Sequence, residues 1–567
     1  MSTRETVLRN WTIAVFLLSG GLLCCASKAQ AQVNVLTAHN DNARTGQNLQ
    51  EAVLTPANVS VGTFGKLFAN PVDGYVYAQP LYVANVPIPG QGLHNVVFVA
   101  TEHDSVYAFD ADDPATGLLW SVSFLDPANG ITTVPADDVH SDVLVPEIGI
   151  TSTPVIDGTS GTLYAVAKTK EVLGDGQVHY VQRLHALDIT TGGERVASPV
   201  VIADTMVADD GSFTYISGPS VPGAGDGSLD GLTVSFNALT QLNRPGLLLV
   251  GGVVYSAWGS HDDNPPYHGW ILGHDALSLA LVWVFNTTPN GRAGAVWMSG
   301  GGLAADAAGQ IYVATGNGTF AATGDFSPAY GDSVFKLAPD LTVVDFFTPF
   351  QQATLDACDW DFGSSGVLLL PDQPDAPLHG LLAAGKTGAI YLINRDNLGG
   401  YQTCGAMCDN VVQVLPDGTI GGAFGPPAYF NGLVYYQGGY GDVLKAFQLT
   451  QGLLSPGPVM QTSTAFDFPG STPSISANGA SHGIVWTLQV DAYATSGPAV
   501  LHAYDAGNLA QELYNSSQIP TDQLEGAVKF TVPTVANGKV YVGTQSSLAV
   551  FGVLPGGFPV AAGHKVR

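Results

Sequence analysis

Charge is scarce in this sequence. Only 12% of its 567 residues are Asp, Glu, Lys or Arg, against a usual share of roughly 25%. Basic residues are the scarcest: 19 Lys plus Arg face 47 Asp plus Glu, a net charge of −28. That shortage excludes a binder of phosphate backbones, which needs a broad basic patch. Long-range repulsion likewise argues against nucleic acid or anionic membranes as partners. The low Lys, Glu and Arg content excludes a coiled coil or helical bundle. A hydrophobic share of 46% excludes a disordered chain, which cannot bury enough apolar surface to fold. Five cysteines are too few for a disulfide scaffold. No apolar run approaches the roughly 20 residues that a membrane helix needs, so no membrane insertion is expected. Catalytic signatures are also missing: there is no Gly-x-Ser-x-Gly elbow and no Cys-x-x-Cys-His for covalent haem.

What is present is glycine, 69 residues, and a marked amino terminus. Arg4 and Arg9 precede the apolar stretch 12–25, and Ala29-Gln30-Ala31 offers a small-residue cleavage site. This is the pattern of an export signal over residues 1–31, which predicts a secreted or periplasmic chain. Without it the remaining residues, 32–567, carry a charge of −30 and three cysteines, Cys358, Cys404 and Cys408. An oxidising compartment permits a disulfide. Either Cys404 and Cys408 close a small loop or Cys358 pairs with one of them.

The dominant feature is a repeat. A β-branched strand, usually opened by Gly, recurs eight times, as at 95–101, 161–169, 252–258, 310–317, 380–388, 432–439, 483–490 and 538–545. A Pro- or Gly-marked strand comes before most copies and a further strand follows each. Pro80 and Pro533 bound seven intervals of about 65 residues. Four antiparallel strands per unit, repeated radially, predict an all-β propeller of eight blades in one domain, 32–567. The eighth unit stops at its third strand. An unpaired edge invites aggregation, so the orphan strand at 64–72 is expected to complete the last blade from the N-terminal side.

Ala108-Phe109-Asp110, Thr116-Gly117 and Trp120, with Asp275 and Trp283 in the third unit, resemble the outer-strand docking motif of the quinoprotein alcohol dehydrogenase-like (PQQ-like repeat) propellers. Four loop motifs extend the likeness. Thr315-Gly316-Asn317 resembles the family's T-G-N, whose Asn ligates calcium through a neutral oxygen. Trp360-Asp361-Phe362 resembles the motif carrying the catalytic base, a carboxylate that takes the alcohol proton. Gly363 stands where lanthanide-using members place an extra Asp. Lys386 falls where relatives place a cation against the quinone oxygens, and Trp297 where a ring floors the quinone. Asp262 or Asp263 lies where the family has its calcium-ligating Glu, and His261 reads as a hydrogen-bonding loop residue. The resemblance thus implies catalytic Asp361, cofactor-binding Trp297 and Lys386, and metal-binding Asn317, Asp262 and Asp263.

Two departures are plain. The adjacent cysteine pair of many members is missing, and residues 137–142 form an acidic loop that would repel a tricarboxylate. Two functions follow. One is an exported dehydrogenase using PQQ and calcium, without haem, that oxidises an alcohol or sugar and passes electrons to a separate acceptor. The other is a non-catalytic propeller scaffold for a protein, glycan or surface polymer. Fold alone does not separate them.

Overall fold

The computed structural model describes residues 33–556, apart from 175, 209, 322–327, 375–376 and 404–407. The expected export signal and Cys404 lie outside the described residues. Cys358 is free and exposed, whereas Cys408 is disulfide-bonded.

The repeated strands pair with their neighbours in sequence into antiparallel four-stranded sheets, the blades of an all-β propeller. One blade runs Leu81–Ile88, Gly92–Ala100, Ser105–Asp110 and Leu118–Ser123. The three blades that carry the candidate motifs are built on Val253–Ser260, Ile311–Ala314 and Gly380–Ala384. In each, that strand sits second from the inner edge. Strand Phe64–Pro71 pairs antiparallel with Ser547–Val553, Phe64 opposite Val553 and Pro71 opposite Ser547.

The sequence pattern explains the layering. Second strands are apolar on both faces because each sheet packs between two others: Ile311–Ala314 and Gly380–Ala384 are buried throughout. Fourth strands alternate and face solvent, as Leu118–Ser123 does. Trp120 couples one blade to the next. Its indole donates to the Ile189 carbonyl at 3.0 Å, and its ring lies where a Cβ on Gly192 would come within 2.6 Å. Trp283, its counterpart in the third unit, instead covers Gly273 of its own sheet and is 40% exposed.

The segment 35–48 was not expected to pack as it does. It crosses the inner edges of successive sheets. Val35 bonds Tyr82, the Leu36 carbonyl accepts from Ile156, and Asn42, Ala43, Thr45 and Gly46 accept from Ala305, Leu369, Tyr429 and Ile475. Asn48 Nδ2 then reaches the Val535 carbonyl at 3.0 Å. The first strands of the sheets are short, so their inner edges would otherwise leave backbone groups unpaired. Arg44, fully buried, anchors the crossing with bonds to the carbonyls of Leu303 and Ala38 at 2.9 and 2.6 Å.

Candidate functional site

Connections between second and third strands, and between one sheet's last strand and the next sheet's first, share one end of a propeller blade. Every candidate residue sits on such a loop. Three of these loops, 315–317, 359–363 and 385–386, touch through glycine. A Cβ on Gly316 would lie 2.1 Å from Asp361 Oδ1, one on Gly363 would lie 2.5 Å from the Thr315 carbonyl carbon, and one on Gly385 would lie 2.3 Å from the Asp361 carbonyl oxygen. No side chain fits at these positions without pushing the loops apart. This supplies a steric reason for glycine at 363.

The contact brings the predicted residues into one network. Asp361, 2% exposed, accepts the Asn317 backbone N–H at 2.7 Å and the Trp297 indole N–H at 3.3 Å through Oδ1. Its Oδ2 lies 2.7 Å from Lys386 Nζ. Lys386 also holds Asp359 Oδ1 at 2.8 Å, and the same oxygen accepts from Asn317 Nδ2 at 2.7 Å. Burial works against the Lys386 charge, but Asp361 and Asp359 outweigh it and hold its pKa above the ordinary lysine value. Asp332 supports the loop from below by accepting the Phe362 N–H at 3.1 Å. Burial, with the charge of Asp361 adding to it, pushes the Asp332 carboxyl up to about 8.

The two acids of the blade-three loop part company. Asp263 accepts the Tyr267 hydroxyl at 2.6 Å. Burial first, then the charges of Asp361 and Asp359, raise its pKa. Asp262 instead caps the acidic loop, accepting the backbone N–H of Asp142 at 2.8 Å and of Val143 at 3.3 Å. In that loop Asp138 is neutralised by Lys170 at 2.6 Å, so the repulsion expected from it is partly removed. His261 is a hydrogen-bonding residue, its Nε2 2.8 Å from buried Lys168.

Of the residues expected to hold calcium, Asp262 and Asp263 each have one carboxylate oxygen engaged elsewhere, and no group of three or more His, Cys, Asp or Glu among the described residues is arranged to hold a metal. Asn317 Oδ1 alone stays buried without a donor. A calcium ion does not fit the site as built, because the Lys386 ammonium already stands between Asp359 and Asp361.

Asp361, Lys386, Trp297, Asp262 and Asp263 line a cavity of about 290 Å³ whose far wall is Arg244, Phe424, Tyr440, Phe468 and Phe530. A second cavity, about 440 Å³, adjoins it through Asp263 and reaches Asn317, Asp359 and Arg292. The far wall was missed from sequence, as were Asp359, Asp332 and Tyr267. The missed wall residues occupy the same loop classes as the recognised ones. That periodic position, rather than any local motif, is the signal that could have found them.

No protein-family model matches the chain, and no curated protein matches it. Solved structures do. The quinohemoprotein alcohol dehydrogenase from Comamonas testosteroni is similar over 93% of this chain and 81% of its own, with 16% identity and a TM-score of 0.54. A europium-containing methanol dehydrogenase is similar over 92% and 98%, with 14% identity and a TM-score of 0.54. BamB from Moraxella catarrhalis is similar over 86% and 99%, with 14% identity and a TM-score of 0.47. At such identities the first two likenesses establish the propeller fold, and the chemistry has to be argued from the site.

Proposed function

We propose that this chain is an exported quinone-dependent dehydrogenase acting on alcohols or sugars, with eight blades closed by strand Phe64–Pro71. The pairing of that strand with Ser547–Val553 supports the closure. One observation carries the functional reading: Asp361, a carboxylate 2% exposed, is held by Asn317, Trp297 and Lys386 while lining a cavity. Burying a carboxylate is costly unless it is paired and hydrogen-bonded. Packing alone gives no reason to place one against open space.

A bound quinone such as PQQ would supply the hydride acceptor. The chain's residues do the rest. Trp297 offers a flat face, and Lys386 supplies the positive charge that the family resemblance assigns to calcium. Asp361 takes the alcohol proton as general base, oriented by its two N–H donors. Asp263 and Tyr267 position the substrate side of the cavity. Electrons leave to a separate acceptor.

The test adds PQQ to the purified protein, with and without calcium, and follows bound-quinone absorbance and dye reduction over a panel of alcohols and sugars. Asp361→Asn preserves the acceptor for both donors and should cut turnover by ~10²–10⁴-fold while quinone uptake persists. Turnover by Asp361→Asn at the parent rate would refute the assignment. A second reading, a non-catalytic scaffold binding a protein or glycan, rests on Arg244. Its guanidinium already lies 5.8 Å over the Trp297 ring. Failure to take up quinone under either condition would favour it.

A further inference from the structure

Two cations beside the cavity have no ion-pair partner among the described residues. Arg244 lines it, with its guanidinium 4.1 Å over the Phe530 ring and 5.8 Å over Trp297. Among the described residues it makes no hydrogen bond and no ion pair. Lys529, 2% exposed, stands behind the same wall. Its ammonium is 4.5 Å from the Tyr493 ring, 5.7 Å from Phe468 and 6.0 Å from Phe530, again with no carboxylate in contact among the described residues. The acids near them are otherwise engaged: Asp262 caps the 142–143 backbone and Asp263 holds Tyr267. In a chain of net charge −28, two cations left unpaired beside one cavity are conspicuous. Aromatic faces compensate a cation only in part, and a guanidinium presents planar paired donors that match a carboxylate.

We propose that Arg244, supported by Lys529, receives a carboxylate of a flat conjugated ligand in this cavity. The aromatic rings take the ligand's faces and the guanidinium takes its charge. The subsite deepens the dehydrogenase reading and rests on the same cavity, but it stands on different residues. Two sources share this chemistry, the carboxylates of a quinone cofactor and the carboxylate of an acid substrate. Burial of Lys529 and its repulsion by Arg244 lower its pKa to about 7, and an anion held at Arg244 would offset that repulsion.

The experiment uses benzene-1,3-dicarboxylate, which is flat, charged and neither a quinone nor a reducible group. Its uncharged dicarboxamide is the control. Calorimetric titration of the full chain, without metal, should show the diacid binding at least ~10-fold more tightly than the diamide, as expected of charge-assisted hydrogen bonds. Arg244→Gln should weaken the diacid ~10–100-fold, Arg244→Lys should restore part of the loss, and Lys529→Met should weaken it less. Unchanged circular dichroism and thermal unfolding would establish that the variants fold. The proposal is overturned if the diacid fails to bind, if diacid and diamide bind alike, or if folded Arg244→Gln binds the diacid as the parent does. Competition assigns the source: displacement of the diacid by PQQ points to cofactor carboxylates, and simultaneous binding to an acid substrate. Diacid binding without PQQ uptake removes the dehydrogenase reading and leaves this one. PQQ uptake indifferent to Arg244, with no diacid binding, does the reverse.

Discussion

Replacing Lys386 with Met leaves Asp361 buried without its counter-charge. The side chains of Asp361 and Lys386 are 3% and 18% exposed, so solvent screens the pair weakly. Removing one partner of such a pair costs about 3–5 kcal/mol. The lower end applies, because the Asn317 and Trp297 N–H groups still donate to the stranded carboxylate. Asp361→Asn alone should cost less, about 1–2 kcal/mol, since Lys386 keeps Asp359, itself 67% exposed. The double variant lacks both charges and should cost about as much as Asp361→Asn, which gives a coupling of about 3 kcal/mol in magnitude. Hydrogen exchange at the Asn317 amide reads this locally, and guanidinium unfolding by tryptophan fluorescence reads it globally. Losses that add within about 0.5 kcal/mol, or a Lys386→Met loss below about 1 kcal/mol, would refute the claim that this pair holds the site together.

Gly363→Asp should disable the site rather than recruit a metal, because its Cβ would meet the Thr315 backbone at 2.5 Å; unfolding and diacid titration would show lost stability and lost binding together, and lanthanide binding by a fully stable variant would contradict the steric argument. Asp332 bears on pH dependence. Its folded pKa is raised to about 8 from 3.8 by burial, so the folded state binds this proton more tightly than the unfolded chain. Its contribution favours folding at low pH and is lost as pH rises between those values, with the full penalty above about 8. Asp332→Asn should flatten this part of the stability profile in denaturation series from pH 5 to 9, and an unchanged slope would count against it.

Much of the architecture was legible because strand periodicity is local. A strand's burial follows from its own alternation and from β-branched content, so the 65-residue repeat announced a propeller, and the orphan strand at 64–72 was found with Ser547–Val553. The loop motifs of Asn317, Asp361 and Lys386 could be placed on one end for the same reason: strand order fixes which loops share a face. Composition alone set the net charge.

The tertiary structure decided what those residues do to one another. That Lys386 takes the position between two carboxylates depends on glycine contacts among three loops that are distant in sequence, and no spacing encodes a 2.7 Å approach. The separation of Asp262 from Asp263, adjacent in the chain, arose because one faces the 142–143 backbone and the other faces Tyr267. Arg244, Lys529 and the aromatic wall share no motif, and became neighbours through ring geometry alone. The crossing of residues 35–48 over the inner strand edges is of the same kind. Its hydrogen bonds satisfy backbone groups whose lack of a partner exists only once the blades have assembled.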